Sequence, residues 1–152
     1  MQESFQSAAG PTLRETVWKP EGEIRAIVQI LHGMAEYIGC YDETAKRLNE
    51  AGFLVVGHNH LGHGEGAEQL GYFGKGGFDT LVEDAHTLRL LAQKEYPGVP
   101  YFLLGHSMGS FVARNYCLKH EQGLSGVILS GTGHFPPGLV LSGLLIANLQ
   151  CA

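Results

Sequence analysis

The chain has 152 residues and a formal net charge of −5, from 10 Lys+Arg against 15 Asp+Glu. That length fits one domain able to bury roughly 68–70% of its unfolded surface, and an acidic balance without any basic block argues against a nucleic-acid partner. The three cysteines, Cys40, Cys117 and Cys151, have no metal-ligand spacing and cannot all pair, which points to a reduced, cytoplasmic setting.

The first ten residues, MQESFQSAAG, hold no basic stretch followed by an apolar run, so no signal peptide is expected. Residues 12–19 (TLRETVWK) alternate with a strand period and end at Pro20-Glu21-Gly22, a turn. Residues 26–31 (AIVQIL) form a short β-branched run suited to a strand covered on both faces. Residues 42–51 predict a helix with Ala45, Leu48 and Ala51 inward and Gly52 as its left-handed stop. Residues 53–57 (FLVVG) predict a second buried strand. Asp79 is the expected N-cap of a helix that keeps Leu81, Val82, Ala85, Leu88, Leu91 and Ala92 on one stripe. A strand over 101–104 leads into a helix over 108–120, and 127–129 gives the last clear strand. Strands separated by helices define an α/β chain with a largely parallel sheet and helices on both faces. The longest apolar run, 139–149, is interrupted by Ser142, Gly143 and Asn148 and is too short to span a bilayer.

The stretch YFLLGHSMGSF places Ser107 between Gly105 and Gly109 at the point where a strand must become a helix. With 22 glycines and seven serines in the chain, G-x-S-x-G arises by chance in roughly one such chain in seven. The strand before it and the amphipathic helix after it are what turn the pattern into a nucleophile elbow. Glycines on either side avoid clashes between strand and helix, and the hydroxyl is presented at the carboxyl end of the sheet. The plainer reading is a serine capping a helix in a glycine-rich turn.

HGMAE, residues 32–36, begins where AIVQIL ends. Acyl transfer needs two preorganised N–H donors for its tetrahedral intermediate. One comes from the residue after the nucleophile and the other from the loop after an earlier strand. Those donors would be the backbone amides of Met108 and Met34. The plainer alternative makes His32-Gly33 an ordinary turn.

Taken together, HGMAEYIGCY, HNHLGHGEG and LLGHSMGS resemble the successive signatures of α/β-hydrolases of the monoacylglycerol lipase and lysophospholipase branch, which is related to the serine aminopeptidases. The resemblance runs from about Glu15 to Gly131. It implies an α/β-hydrolase fold with an eight-stranded sheet, a Ser-His-Asp triad, no cofactor, and a cap inserted after the sixth strand. It makes Ser107 the nucleophile and Met34 and Met108 the oxyanion donors; His106 is not the family's catalytic histidine. The chain departs from the pattern at Asn59, where an aspartate is usual, at Gly66, where a small hydroxyl residue is usual, and at Tyr37 and Cys40, which stand for His and Arg.

His58, His60 and His63 sit in an H-x-H-x-x-H pattern that is similar to the zinc loop of metallo-β-lactamase-type hydrolases. That loop carries an aspartate immediately before the third histidine, where this chain has Gly62, so a structural loop turned by Gly62 and Gly64 is expected and no metal site.

The triad order Ser, then acid, then His is not completed. After Ser107 there is no aspartate, the only acid is Glu121, and the later histidines are His120 and His134. His120 would lie roughly 20 Å away along its helix. The expectation is therefore the N-terminal portion of a longer hydrolase, truncated at the start of the cap: residues 1–135 as core, 136–152 as the beginning of the lid. Its function would be hydrolysis of small acyl esters or lysolipids through an acyl-enzyme on Ser107, with transient membrane-surface contact through the cap. The alternatives are a non-catalytic half-domain or gene fragment, and an aminopeptidase on the same scaffold.

Overall fold

A computed structural model describes residues 4–134 together with Pro136, Gly138 and Val140. Apart from those three residues, the expected lid segment 136–152 lies outside the described residues. Six strands make one sheet: β1 (Ser4–Gln6), β2 (Thr12–Trp18), β3 (Ala26–Leu31), β4 (Phe53–His58), β5 (Tyr101–His106) and β6 (Gly126–Ser130). Their order is β1-β2-β4-β3-β5-β6. The pairs β1–β2 and β2–β4 are antiparallel, while β4–β3, β3–β5 and β5–β6 are parallel.

Every residue of β3 is buried, as the unbroken AIVQIL run requires of a central strand. Helix α1 (Asp42–Glu50) covers one face, where Ala45 packs with Ile30, Val55 and Ile38. Helices α2 (Phe78–Glu95) and α3 (Met108–His120) cover the other. There Leu81, Val82, Ala85, Leu88 and Ala92 of α2 and Met108, Val112 and Tyr116 of α3 meet Ile27, Leu54, Val56, Tyr101 and Leu103 of the sheet. Each fully buried Leu or Val contributes roughly 1.5–3 kcal/mol. The largely parallel sheet with helices on both faces matches the sequence expectation.

Polar side chains also enter this core. Gln29, fully buried in β3, donates to the Ala85 carbonyl at 3.0 Å and accepts from the Tyr101 hydroxyl at 2.8 Å. Both ends of the amide are satisfied, so burial leaves no orphan group. Asp84 of α2 is buried too and accepts from the Ser7 hydroxyl and the Ala8 amide at 2.8 and 2.7 Å, tying the β1–β2 turn to the helix.

Three local expectations need correction. The N-cap of α2 is Gly77, at φ 57 and with no side-chain cap bond; Asp79 lies inside the first turn and pairs with Lys119 at 3.0 Å. Left-handed backbone at that cap suits glycine, and an aspartate two residues later serves the helix dipole instead. Ala51 is exposed rather than inward, because α1 ends at Glu50 and Ala51 follows as its C-cap. Strand β5 runs two residues further than expected, since His106 still pairs with Ser130. Strand β1 and a 3₁₀ turn at Ile38–Tyr41 have no counterpart in the sequence pattern.

Candidate active site

The register of the parallel strands decides where the candidate residues meet. Leu31 pairs with Gly105 and His106 with Ser130, so β3, β5 and β6 all end at one edge of the sheet. From that edge leave the loop that starts at His32, the turn at Ser107 and the segment after Ser130.

Ser107 has φ 50 and ψ −117, a conformation rare for a residue with a side chain. Such strain costs on the order of 1–3 kcal/mol and persists only where the surroundings dictate it. Here they do. The Ser107 amide donates to the Ser130 carbonyl at 2.9 Å, and its own carbonyl accepts from the Ser110 hydroxyl at 2.6 Å and the Ser110 amide at 2.9 Å. The flanking glycines are needed for space. A Cβ at Gly105 would stand 2.7 Å from the Gly109 carbonyl carbon, and one at Gly109 would stand 2.7 Å from the His32 carbonyl oxygen. Helix, turn and two strands thus touch through bare backbone.

The loop after β3 abuts this turn: a Cβ at Gly33 would lie 3.2 Å from the Ser107 Cβ. Met34 is exposed by 54%, and its amide donates to no described residue. Met108 is buried, and as the first residue of α3 its amide belongs to the helix start, where N–H groups have no partner within the helix. The structure therefore brings Ser107, Met34 and Met108 to one edge of the sheet. No described side chain hydrogen-bonds the Ser107 hydroxyl.

Glu36 carries no motif signal of its own in the sequence, yet it is central here. One carboxylate oxygen accepts from the Gly33 amide at 2.7 Å and from the Tyr41 hydroxyl at 2.8 Å; the other lies 3.8 Å from His106 Nε2. Burial alone would raise its pKa, yet those two hydrogen bonds, with His106, outweigh burial and hold it below the usual carboxylate value. Burial and the charge beside it push the Tyr41 hydroxyl up. The available signal was an acid three residues after a glycine, a spacing that lets a carboxylate fold back onto that amide.

The histidines of the sequence pattern are interior. His58 ends β4, and with His32, His60 and His63 it is at most 6% exposed. The His32 and His60 rings lie 4.3 Å apart and those of His58 and His60 5.3 Å apart, centroid to centroid. His32 Nε2 accepts from the His60 amide at 2.9 Å, but no ring nitrogen of His58 or His60 has a partner among the described residues. Burial holds all of His32, His58 and His60 in the neutral form, with His32 lowered to about 4 and His58 to about 3. No group of His, Cys, Asp or Glu among the described residues is arranged to hold a metal. Of the departures from the family pattern, Asn59 makes a visible contact. Its side-chain oxygen accepts from the Ile38 amide at 2.7 Å, a role that any acceptor fills.

His120 faces away from Ser107. Its ring bonds Glu83 at 3.2 Å and stacks on His86 at 3.8 Å, within the α2–α3 contact. His134 is exposed. A cavity of about 1300 Å³ opens between the β1–β2 turn, residues 59–76 and the start of α2; none of Ser107, Met34 and Met108 borders it. No helix among the described residues is long and apolar enough to cross a membrane.

A largely parallel sheet, a serine on a strained strand-to-helix turn flanked by close-packed glycines, and a glycine loop beside it define an α/β-hydrolase. The family described as serine aminopeptidase, S33, matches residues 22–149, and the chain belongs to it. The monoglyceride lipase of Rattus norvegicus is 34% identical over 146 residues, which make up 96% of this chain and 44% of that protein. The monoacylglycerol lipase of Mycolicibacterium smegmatis is 33% identical over 130 residues, 86% of this chain and 46% of that one. Among solved structures, a thermostable carboxyl esterase from Bacillus coagulans superposes with a TM-score of 0.87 at 42% identity, over 97% of this chain and 49% of that one. The chain thus spans about half the length of the relatives it matches.

Proposed function

We propose that the chain carries the nucleophile half of a serine hydrolase of carboxylic esters, acting on monoacylglycerols or lysolipids. The observation that carries this reading is the position of Ser107, alone at positive φ on its turn and against the Gly33 loop. Its hydroxyl oxygen attacks the ester carbonyl, and the resulting oxyanion is held by the Met34 and Met108 amides. Collapse expels the alcohol and leaves an acyl-enzyme, which water converts to acid and free serine. The base that takes the serine proton and the acid that orients it come from outside residues 1–135, which form the first part of the core; 136–152 begins the lid. Esters are favoured over peptides because the two lipases and the esterase, at 33–42% identity, bear ester-hydrolase names. A cytoplasmic setting, with brief contact between lid and membrane surface, fits such substrates.

The second reading, a non-catalytic half-domain, is favoured by one observation: no described side chain engages the Ser107 hydroxyl. The experiment separating them is Ser107→Ala in a polypeptide extended to include base and acid. A loss of about 10⁶ in kcat on short p-nitrophenyl esters, with no effect of a chelator, supports the esterase. Equal rates for the two proteins would leave the half-domain.

A further inference from the structure

The loop that would supply the Met34 amide contains a second strained residue. Ala35 has φ 58, and apart from Ser107 it is the one residue other than glycine at positive φ among those described. A backbone bent that way must be held by something, or it relaxes. The restraint at hand is the next side chain. Glu36 turns back over Ala35 and takes the Gly33 amide at 2.7 Å, while Tyr41 in the 3₁₀ turn takes the same oxygen at 2.8 Å. The other oxygen faces His106 at 3.8 Å, and the His106 ring is fixed in turn by the Ser130 hydroxyl at 3.1 Å. One carboxylate therefore joins the loop after β3, the turn before α1 and the residue preceding Ser107.

We propose that Glu36 is a positioning residue, whose carboxylate clamps the Gly33–Glu36 loop so that the Met34 amide faces the carbonyl oxygen of the ester that Ser107 attacks. The proposal rests on the nucleophile reading above and adds the part that sets its geometry. It takes the Gly33 amide out of play as a competing donor and leaves the Met34 amide free. Hydrogen bonds to a charged acceptor are roughly twice as strong as neutral ones, which suits a carboxylate to holding strain. The ionised form is the one that accepts from both donors. The charged and titratable groups facing it are His106 from β5, Tyr41, and His32 at the loop base.

The test uses the polypeptide extended to include base and acid, and compares wild type with Glu36→Gln, Glu36→Asp, Tyr41→Phe and Ser107→Ala in two readouts. Amide hydrogen exchange followed by NMR reports the loop, and the rate of fluorophosphonate labelling reports the nucleophile. Glu36→Gln keeps the shape but not the charge. It is expected to speed exchange at Gly33 and Met34 at least tenfold and to slow labelling about tenfold, with the melting temperature held within about 2 °C. Glu36→Asp keeps the charge and should recover part of the labelling rate, which a purely packing role would not allow. Tyr41→Phe should fall between wild type and Glu36→Gln. Unchanged exchange at Gly33 and Met34 in Glu36→Gln overturns the clamp, whatever the labelling does. Faster exchange with unchanged labelling overturns its positioning role. If Ser107→Ala labels as fast as wild type, or wild type does not label, the nucleophile reading falls instead, and exchange alone decides the clamp.

Discussion

Gly109 lies so close to Leu31 that a methyl group at position 109 would stand 2.5 Å from the Leu31 carbonyl carbon. Helix α3 thus rests on the end of β3 with no side chain between them. The contact brings the loop after β3 against Ser107, so one residue without a side chain determines the spacing of both parts of the site.

Gly109→Ala is expected to cost about 1–3 kcal/mol, because backbone on both sides must move. Urea denaturation checks this, with Gly133→Ala as the control, since the nearest atom to a Cβ there is 4.0 Å away. Equal midpoints for the two variants would mean that the helix can shift without strain.

Met34 should act through its backbone. Met34→Ala keeps the amide and is expected to lower ester turnover tenfold or less. Met34→Pro removes the donor and should cost roughly 10²–10³ in kcat. Similar rates for the alanine and proline variants would remove Met34 from the oxyanion site.

Acid should destabilise the fold through its buried histidines. His32 and His58 have folded pKa values of about 4 and about 3, below the ordinary 6.5. As pH falls below 6.5 the unfolded chain takes up protons that the folded chain refuses, so stability drops. The slope for each such histidine is about 0.7 kcal/mol per pH unit at pH 6.5 and approaches about 1.4 a unit lower. Burial raises the carboxyl groups of Glu15 and Asp84, which act with the opposite sign nearer the carboxylate range. The histidine slope is therefore cleanest between pH 6.5 and 5.5. Because the His58 nitrogens bond no described residue, His58→Phe loses none of the described hydrogen bonds and should flatten the slope by up to one proton. Urea midpoints at several pH values measure it; a parallel curve for the variant would contradict the assignment.

Strand β6 should promote self-association. It is the last strand of the described sheet, paired on one side only, with Ile128 and Leu129 exposed by 49% and 41%. An apolar edge of that kind is a template for another strand. Sedimentation velocity should show association that rises with concentration and weakens in Ile128→Lys. A monomer at all concentrations would show the edge to be protected.

How much of this is legible in the sequence depends on what each residue reports. Helices α2 and α3 can be read because Leu81, Leu88, Val112 and Tyr116 repeat with a helical period and are all buried. Strand β3 can be read because a continuous apolar run has few other fates. The turn at Ser107 is legible from its two glycines, whose absent side chains are a direct record of close backbone approach. The short strand β1 is not, since three residues carry too little period. The Asp79 cap fails because a left-handed Gly77 takes the place that a side chain usually fills. The Glu36 network is hidden for a different reason. Its partners Gly33 and Tyr41 lie three and five residues away in one loop, but side chains there fold back onto one another only in three dimensions, and His106 arrives from β5 through the sheet register alone.

The Ser107 amide forms the last rung between β5 and β6 by donating to Ser130. Elbow and outer strand are thereby two ends of one stiff lever, with no loop between them to absorb a displacement. A displacement of β6 at Ser130 is therefore carried to the backbone of Ser107 by that one bond.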